Sequence, residues 1–77
     1  MENQEIKIAI ENLKSYLKTE TNDFLIAHSK GRIAGFEAQN PKSKKLMKSA
    51  KRFASINSSD ITQAYHKGFL NALEMLN

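Results

Sequence analysis

The side chains best suited to proton transfer or metal binding near neutral pH are His28 and His66. Neither has a second histidine or an acid at ligand spacing in its own helical segment, so a metal site would need both to converge with carboxylates across the fold. Ser29 adjoins His28, but neighbours on a helix point about 100° apart, which rules the pair out as nucleophile and base. Glu2, Glu5 and Glu11 lie toward the solvent side of the first segment. Asp23 and Asp60 suit the starts of two later ones as capping residues, where negative charge is favourable. General acid and base work requires a cleft that shifts carboxylate pKa values, and 77 residues leave little room for one. Gly31 and Gly35 lack the preceding strand and the rest of a phosphate-loop pattern. There is no cysteine, which excludes thiolate chemistry and disulfides. The expectation is a non-enzymatic chain with no catalytic residue, metal, cofactor or small-molecule substrate.

The residues with a chemical pattern are cationic. At about 100° per residue, Lys44, Lys45, Lys48, Lys51 and Arg52 fall within an arc of about 120° on a helix, extended at its start by Lys42. Leu46, Met47, Ala50, Phe53 and Ala54 take the opposing arc. A solvated helix usually mixes signs and gains pairs between residues i and i+4, whereas here like charges repel. That repulsion points to an anionic partner, although a basic face can also serve solubility alone. The net charge of +4 is concentrated accordingly, with two acids and seven bases in residues 41–77 against six acids and five bases in 1–40.

Four amphipathic segments position these residues. Ile6, Ala9, Ile10, Leu13, Tyr16 and Leu17 recur at helical spacing and predict a helix over about 3–19. Cap candidates at 19–23 precede a second helix over about 22–39, although the seam Ile10, Leu13, Leu17, Phe24 and Ala27 also fits one continuous helix. Asn40-Pro41 marks a firmer boundary, with Asn40 suited to capping and Pro41 to the first turn of a helix over 41–55. Asn57-Ser58-Ser59-Asp60 is a turn and cap cluster before a last helix over about 59–76. The second and third helices around Asn40-Pro41 could also be arranged as a helix-turn-helix, a weak match given the proline and the lysine-rich second member.

Glycine costs about 1 kcal/mol against alanine inside a helix, so Gly31, Gly35 and Gly68 require an offsetting gain. Ala27, Gly31, Ala34, Gly35 and Ala38 cluster on one face of the second helix, and Ala64, Gly68 and Ala72 on one face of the fourth. Two smooth faces allow close backbone approach, so these helices are expected to cross there, within one chain or between two. Leu25, Ile33 and Phe36 oppose the small face of the second helix, while Ile8 breaks the pattern of the first and Leu70 extends that of the fourth; such extra apolar area is either core or a dimer interface. An offset of 37 residues aligns Asp23 with Asp60, Ala27 with Ala64, Lys30 with Lys67, Gly31 with Gly68 and Glu37 with Glu74. The chain can thus be read as two helical hairpins of similar design.

The fold expected is all-α, a compact bundle or array of three to four short helices forming one domain over 1–77, as monomer or homodimer. An acidic, polar amino terminus and the lack of any apolar run of about 18 residues predict a soluble, cytoplasmic protein without a transmembrane segment. The function expected is that of a regulator or inhibitor that docks Lys42, Lys44, Lys45, Lys48, Lys51 and Arg52 on an acidic protein surface. That strategy is open to small accessory proteins of phages and mobile elements. The alternative is a DNA- or RNA-binding protein that contacts phosphates with low sequence specificity, because lysine dominates where base reading would want Arg, Asn or Gln.

Overall fold

A computed structural model describes all 77 residues. It contains four helices and no strand: α1 (Asn3–Leu17), α2 (Asp23–Phe36), α3 (Lys44–Ser55) and α4 (Asp60–Leu76). Side-chain caps fix three of the starts. Asn22 accepts from the backbone N–H of Leu25 at 3.1 Å, Ser43 from Leu46 at 3.2 Å and Ser59 from Thr62 at 3.3 Å. Asp23 and Asp60 are therefore first-turn residues and not the caps themselves. Their charges still lie at the positive ends of α2 and α4.

Three boundaries differ from the sequence expectation, each for a local reason. The first helix stops at Leu17 because the Glu20 carboxylate takes the N–H groups of Thr21 and Asn22 at 3.0 and 2.9 Å, which separates α1 from α2. Helix α2 ends at Phe36, where the Glu37 and Ala38 N–H groups close onto Ile33 and Gly35. The third helix starts at Lys44, not Pro41. Asn40, Pro41 and Lys42 form a turn closed by Ser43 N–H donating to the Asn40 carbonyl at 3.1 Å, with proline in the second position that such turns favour. The same proline chemistry suits a turn and a first helical turn, and the serine two residues later decides between them.

Helix α1 lies against α2, α2 against α4, and α4 against α3, so the order in space is α1, α2, α4, α3. The second and third helices do not touch, which removes the helix-turn-helix arrangement; in that motif the paired helices pack directly on each other. The Cα framework measures 35 × 34 × 14 Å, a slab much thinner in one direction than in the other two.

The centre of the slab is the crossing of α2 and α4. A methyl added at Gly31 would collide with the carbonyl oxygen of Tyr65 and stand 3.0 Å from the Phe69 nitrogen. One added at Gly68 would collide with the carbonyl oxygen of His28 and stand 3.1 Å from the Arg32 nitrogen. In both cases the hydrogen that replaces the methyl points at the facing carbonyl, the geometry of a Cα–H···O contact. Tyr65 and Phe69 are His28 and Arg32 shifted by 37 positions, as Gly68 is Gly31 shifted by 37. At Gly35 an added methyl would lie 2.7 Å from the Cβ of Ala72, its own counterpart at that shift. The two helices therefore run parallel and are related by a pseudo-twofold axis that passes between Gly35 and Ala72. Burial follows the same relation, since Ala27, Gly31, Gly35 and Phe36 are buried in α2 and Ala64, Gly68, Ala72 and Leu73 in α4. The tandem hairpins are α1–α2 and α3–α4, joined through this crossing.

The apolar core is small. Phe36, Ala72 and Leu76 form its main cluster, covered by the partly buried Ile6, Ala9, Ile10 and Leu13 of α1. No residue of α1 is fully buried, whereas α3 buries Ala50 and Ala54 against the rest. The accessible surface is 5396 Å², against about 4,700 Å² for an average monomer of this mass. Flatness accounts for the difference, and it leaves Ile8, Leu25, Phe53 and Ile56 among the exposed large apolar side chains. No helix is long and apolar enough to cross a membrane.

Candidate functional site

Helix α3 forms one edge of the slab, and its position decides what the cationic residues can reach. Ala50 and Ala54 face inward, so Lys44, Lys45, Lys48, Lys51 and Arg52 all project from the free side and are exposed, together with Lys42 from the preceding turn. No acid occurs between Glu37 and Asp60. Lys44–Lys48 and Lys48–Arg52 are i,i+4 neighbours, and Lys45–Lys48 and Lys48–Lys51 are i,i+3 neighbours. Together these like-charge pairs cost about 1–2 kcal/mol. Lys44 and Lys45 also stand at the positive end of their own helix, where cations are disfavoured. An anion docked on this edge would relieve both penalties.

The edge has two shoulders. On one, Lys42, Lys44, Lys48 and Lys51 surround a shallow polar depression floored by Met47 and closed by Asn77. The Asn77 side-chain amide donates to the carbonyls of Pro41 at 2.9 Å and Leu73 at 2.8 Å, tying the turn before α3 to the end of α4. On the other shoulder, α3 and α4 part to leave an apolar groove of about 260 Å³ lined by Leu46, Ala50, Phe53, Tyr65 and Phe69, with Ser49 and His66 as its polar members. The Phe53 ring stacks on His66 with centroids 5.4 Å apart. Phe53, although on the apolar arc, remains 49% exposed.

The small residues Ala27, Gly31, Ala34, Gly35, Ala64, Gly68 and Ala72 lie on or beside the α2–α4 crossing, the first two and last four of them within one chain's own contact or its buried surround. Ala34 alone is only partly buried. They are scaffold and hold no ligand chemistry. His28 and His66 are placed in different hairpins, and no set of three His, Asp or Glu side chains converges in a way that could hold a metal ion. Burial, followed by the Arg32 charge, holds the His28 imidazole below its usual pKa. The Arg32 guanidinium lies 5.7 Å from the Phe36 ring centroid and 3.6 Å from the Met75 sulfur. Its Nε is buried without a hydrogen-bond partner.

Comparison of the chain with protein-family models, with curated proteins and with solved structures found no match. The site must therefore be understood from its own chemistry. Periodicity along the chain marks the cations and the small faces but not the groove. The groove depends on how far α3 stands from α4, and the one available signal was Ala50 in a row where the first hairpin has Leu13.

Proposed function

We propose that this chain is a small non-enzymatic binding protein that docks the cationic edge formed by α3 on an acidic surface of a partner protein, as a regulator or inhibitor of that partner. One observation carries the reading. Six cations from residues 42–52 are exposed on one edge, in a stretch of chain that contains no acid. Their mutual repulsion is a standing cost to the free protein that an anionic partner would relieve. Function at the expense of stability is the usual mark of a binding surface.

A second reading, phosphate contact with DNA or RNA, draws on the same cations and on two exposed aromatics beside them, Phe53 and Tyr65. The protein reading is preferred because the aromatics border an apolar groove that offers few donors or acceptors for a base edge. The test is a salt series of binding to polyglutamate, duplex DNA, single-stranded DNA and RNA, beside a variant carrying Lys44→Glu, Lys48→Glu and Lys51→Glu. Salt-sensitive binding to polyglutamate that the variant loses, with nucleic acid held no more tightly, supports the protein reading. Preferential binding to nucleic acid, lost in the same variant, would replace it with the second.

A further inference from the structure

The two hairpins share a design, but only the second has an open groove. Shifted by 37 positions, Ala50 corresponds to Leu13, Phe53 to Tyr16 and Phe69 to Arg32. In the first hairpin, Leu13 packs on the core cluster and the Tyr16 hydroxyl is bound to the Glu20 carboxylate at 2.5 Å. In the second, alanine replaces leucine at the corresponding position, and the space beside it is lined by Leu46, Phe53, Tyr65 and Phe69. Its volume of about 260 Å³ lies below the roughly 300–1,000 Å³ typical of small-molecule sites. It suits one or two inserted side chains.

The surroundings of the groove define the chemistry of its occupant. Ser49 on its wall has Lys45 as its i−4 neighbour and Arg52 as its i+3 neighbour on the same helix, so the outer lip of the apolar groove is cationic. We infer that the groove between α3 and α4 takes the apolar face of an acidic amphipathic segment of the partner protein, with one bulky apolar side chain seated over Ala50 and flanking carboxylates meeting Lys45 and Arg52. This recognition mode, an apolar anchor in a groove with charges on its rim, places specificity in the anchor and the rate of association in the charges. The inference rests on the protein-binding reading above and specifies what that partner must present.

The test uses the full-length protein and a labelled synthetic peptide designed as an acidic amphipathic helix with a single phenylalanine anchor, followed by fluorescence anisotropy. Parallel probes are the same peptide with the anchor changed to alanine, and a single-stranded DNA. Binding of the anchored peptide is expected to weaken about tenfold or more on anchor truncation, and equally in Ala50→Leu, which fills the groove as Leu13 fills its counterpart. Because Ala50 is buried and leucine could disturb the fold, Ser49→Phe, which covers the groove from its partly exposed rim, should give the same loss with an unchanged circular dichroism spectrum. Lys45→Glu with Arg52→Glu should remove the salt-sensitive part. Peptide binding that is lost on charge reversal but indifferent to anchor truncation and to both groove variants would overturn the groove and leave the cationic edge standing. Failure of the anchored peptide to bind, with DNA bound instead, would overturn both.

Discussion

The two hairpins meet the same crossing with equivalent residues and differ in almost everything they show to solvent. On α1, the positions that correspond to Lys44, Lys48 and Lys51 are Lys7, Glu11 and Lys14, and those that correspond to Lys42, Lys45 and Arg52 are Glu5, Ile8 and Ser15. Signs are mixed there, as on an ordinary solvated helix, whereas α3 carries one sign only. Leucine fills the flank of the first hairpin and alanine leaves that of the second open. Once half of a pseudo-twofold pair is internally balanced and the other is not, packing common to both halves cannot explain the imbalance. On the proposed reading, the first hairpin supplies support and the second would supply the binding surface.

The shared crossing is where the comparison can be broken most severely. Gly31→Ala and Gly68→Ala should each destabilise the fold by about 3 kcal/mol or more, the upper end of overpacking costs, because the added methyl meets backbone that cannot rotate away. Urea denaturation of the two variants should give similar losses, since the two glycines occupy equivalent positions. A large loss at one and a gain from helix propensity at the other would contradict the pseudo-twofold relation.

A smaller effect of opposite sign tests the surface. Lys48 takes part in all four like-charge pairs on α3, so Lys48→Glu should stabilise the folded protein by about 1 kcal/mol while weakening binding to an acidic partner. Glu11 already occupies the corresponding place on α1, and Glu11→Lys should cost stability there without altering binding. Thermal unfolding and a binding titration on both variants separate the two roles. A lysine that served only solubility would leave binding unchanged.

The smallest effect concerns pH and resides in the first hairpin. Glu20 is held below the usual carboxylate range by the Tyr16 hydroxyl and then by the Asn22 N–H. Its folded pKa lies below its unfolded one, so its contribution is complete above about pH 4.3 and is lost as pH falls through the folded value. His28 is also lowered, chiefly by burial, so the fold prefers its neutral form. That contribution is complete above about pH 6.5 and declines as pH drops through the depressed folded value. The melting temperature should fall between about pH 7 and 5, and His28→Gln should flatten that decline. An unchanged decline in the variant would place its origin elsewhere.

Helix number, the small faces and the cationic arc were legible because each rests on periodicity along the chain, which survives whatever the chain packs against. The start of α3 was not, since Pro41 fits equally well in a turn or a first helical turn and Ser43 had to be seen capping Leu46. Phe53 belonged to the apolar arc, but that arc is wider than the strip α4 covers, so its edge remains outside. The groove was beyond reach for a related reason. Its walls come from residues about 20 positions apart, such as Leu46 and Phe69, and its opening depends on helix spacing, which sequence periodicity does not report.

The division of labour between the hairpins can be tested most directly by mapping amide chemical shifts of the full-length protein as polyglutamate is added at low salt. The account predicts shifts at Lys44–Ser55, where the cations lie, with α1 and α2 unmoved. Shifts spread evenly over both hairpins, or centred on α1, would contradict it.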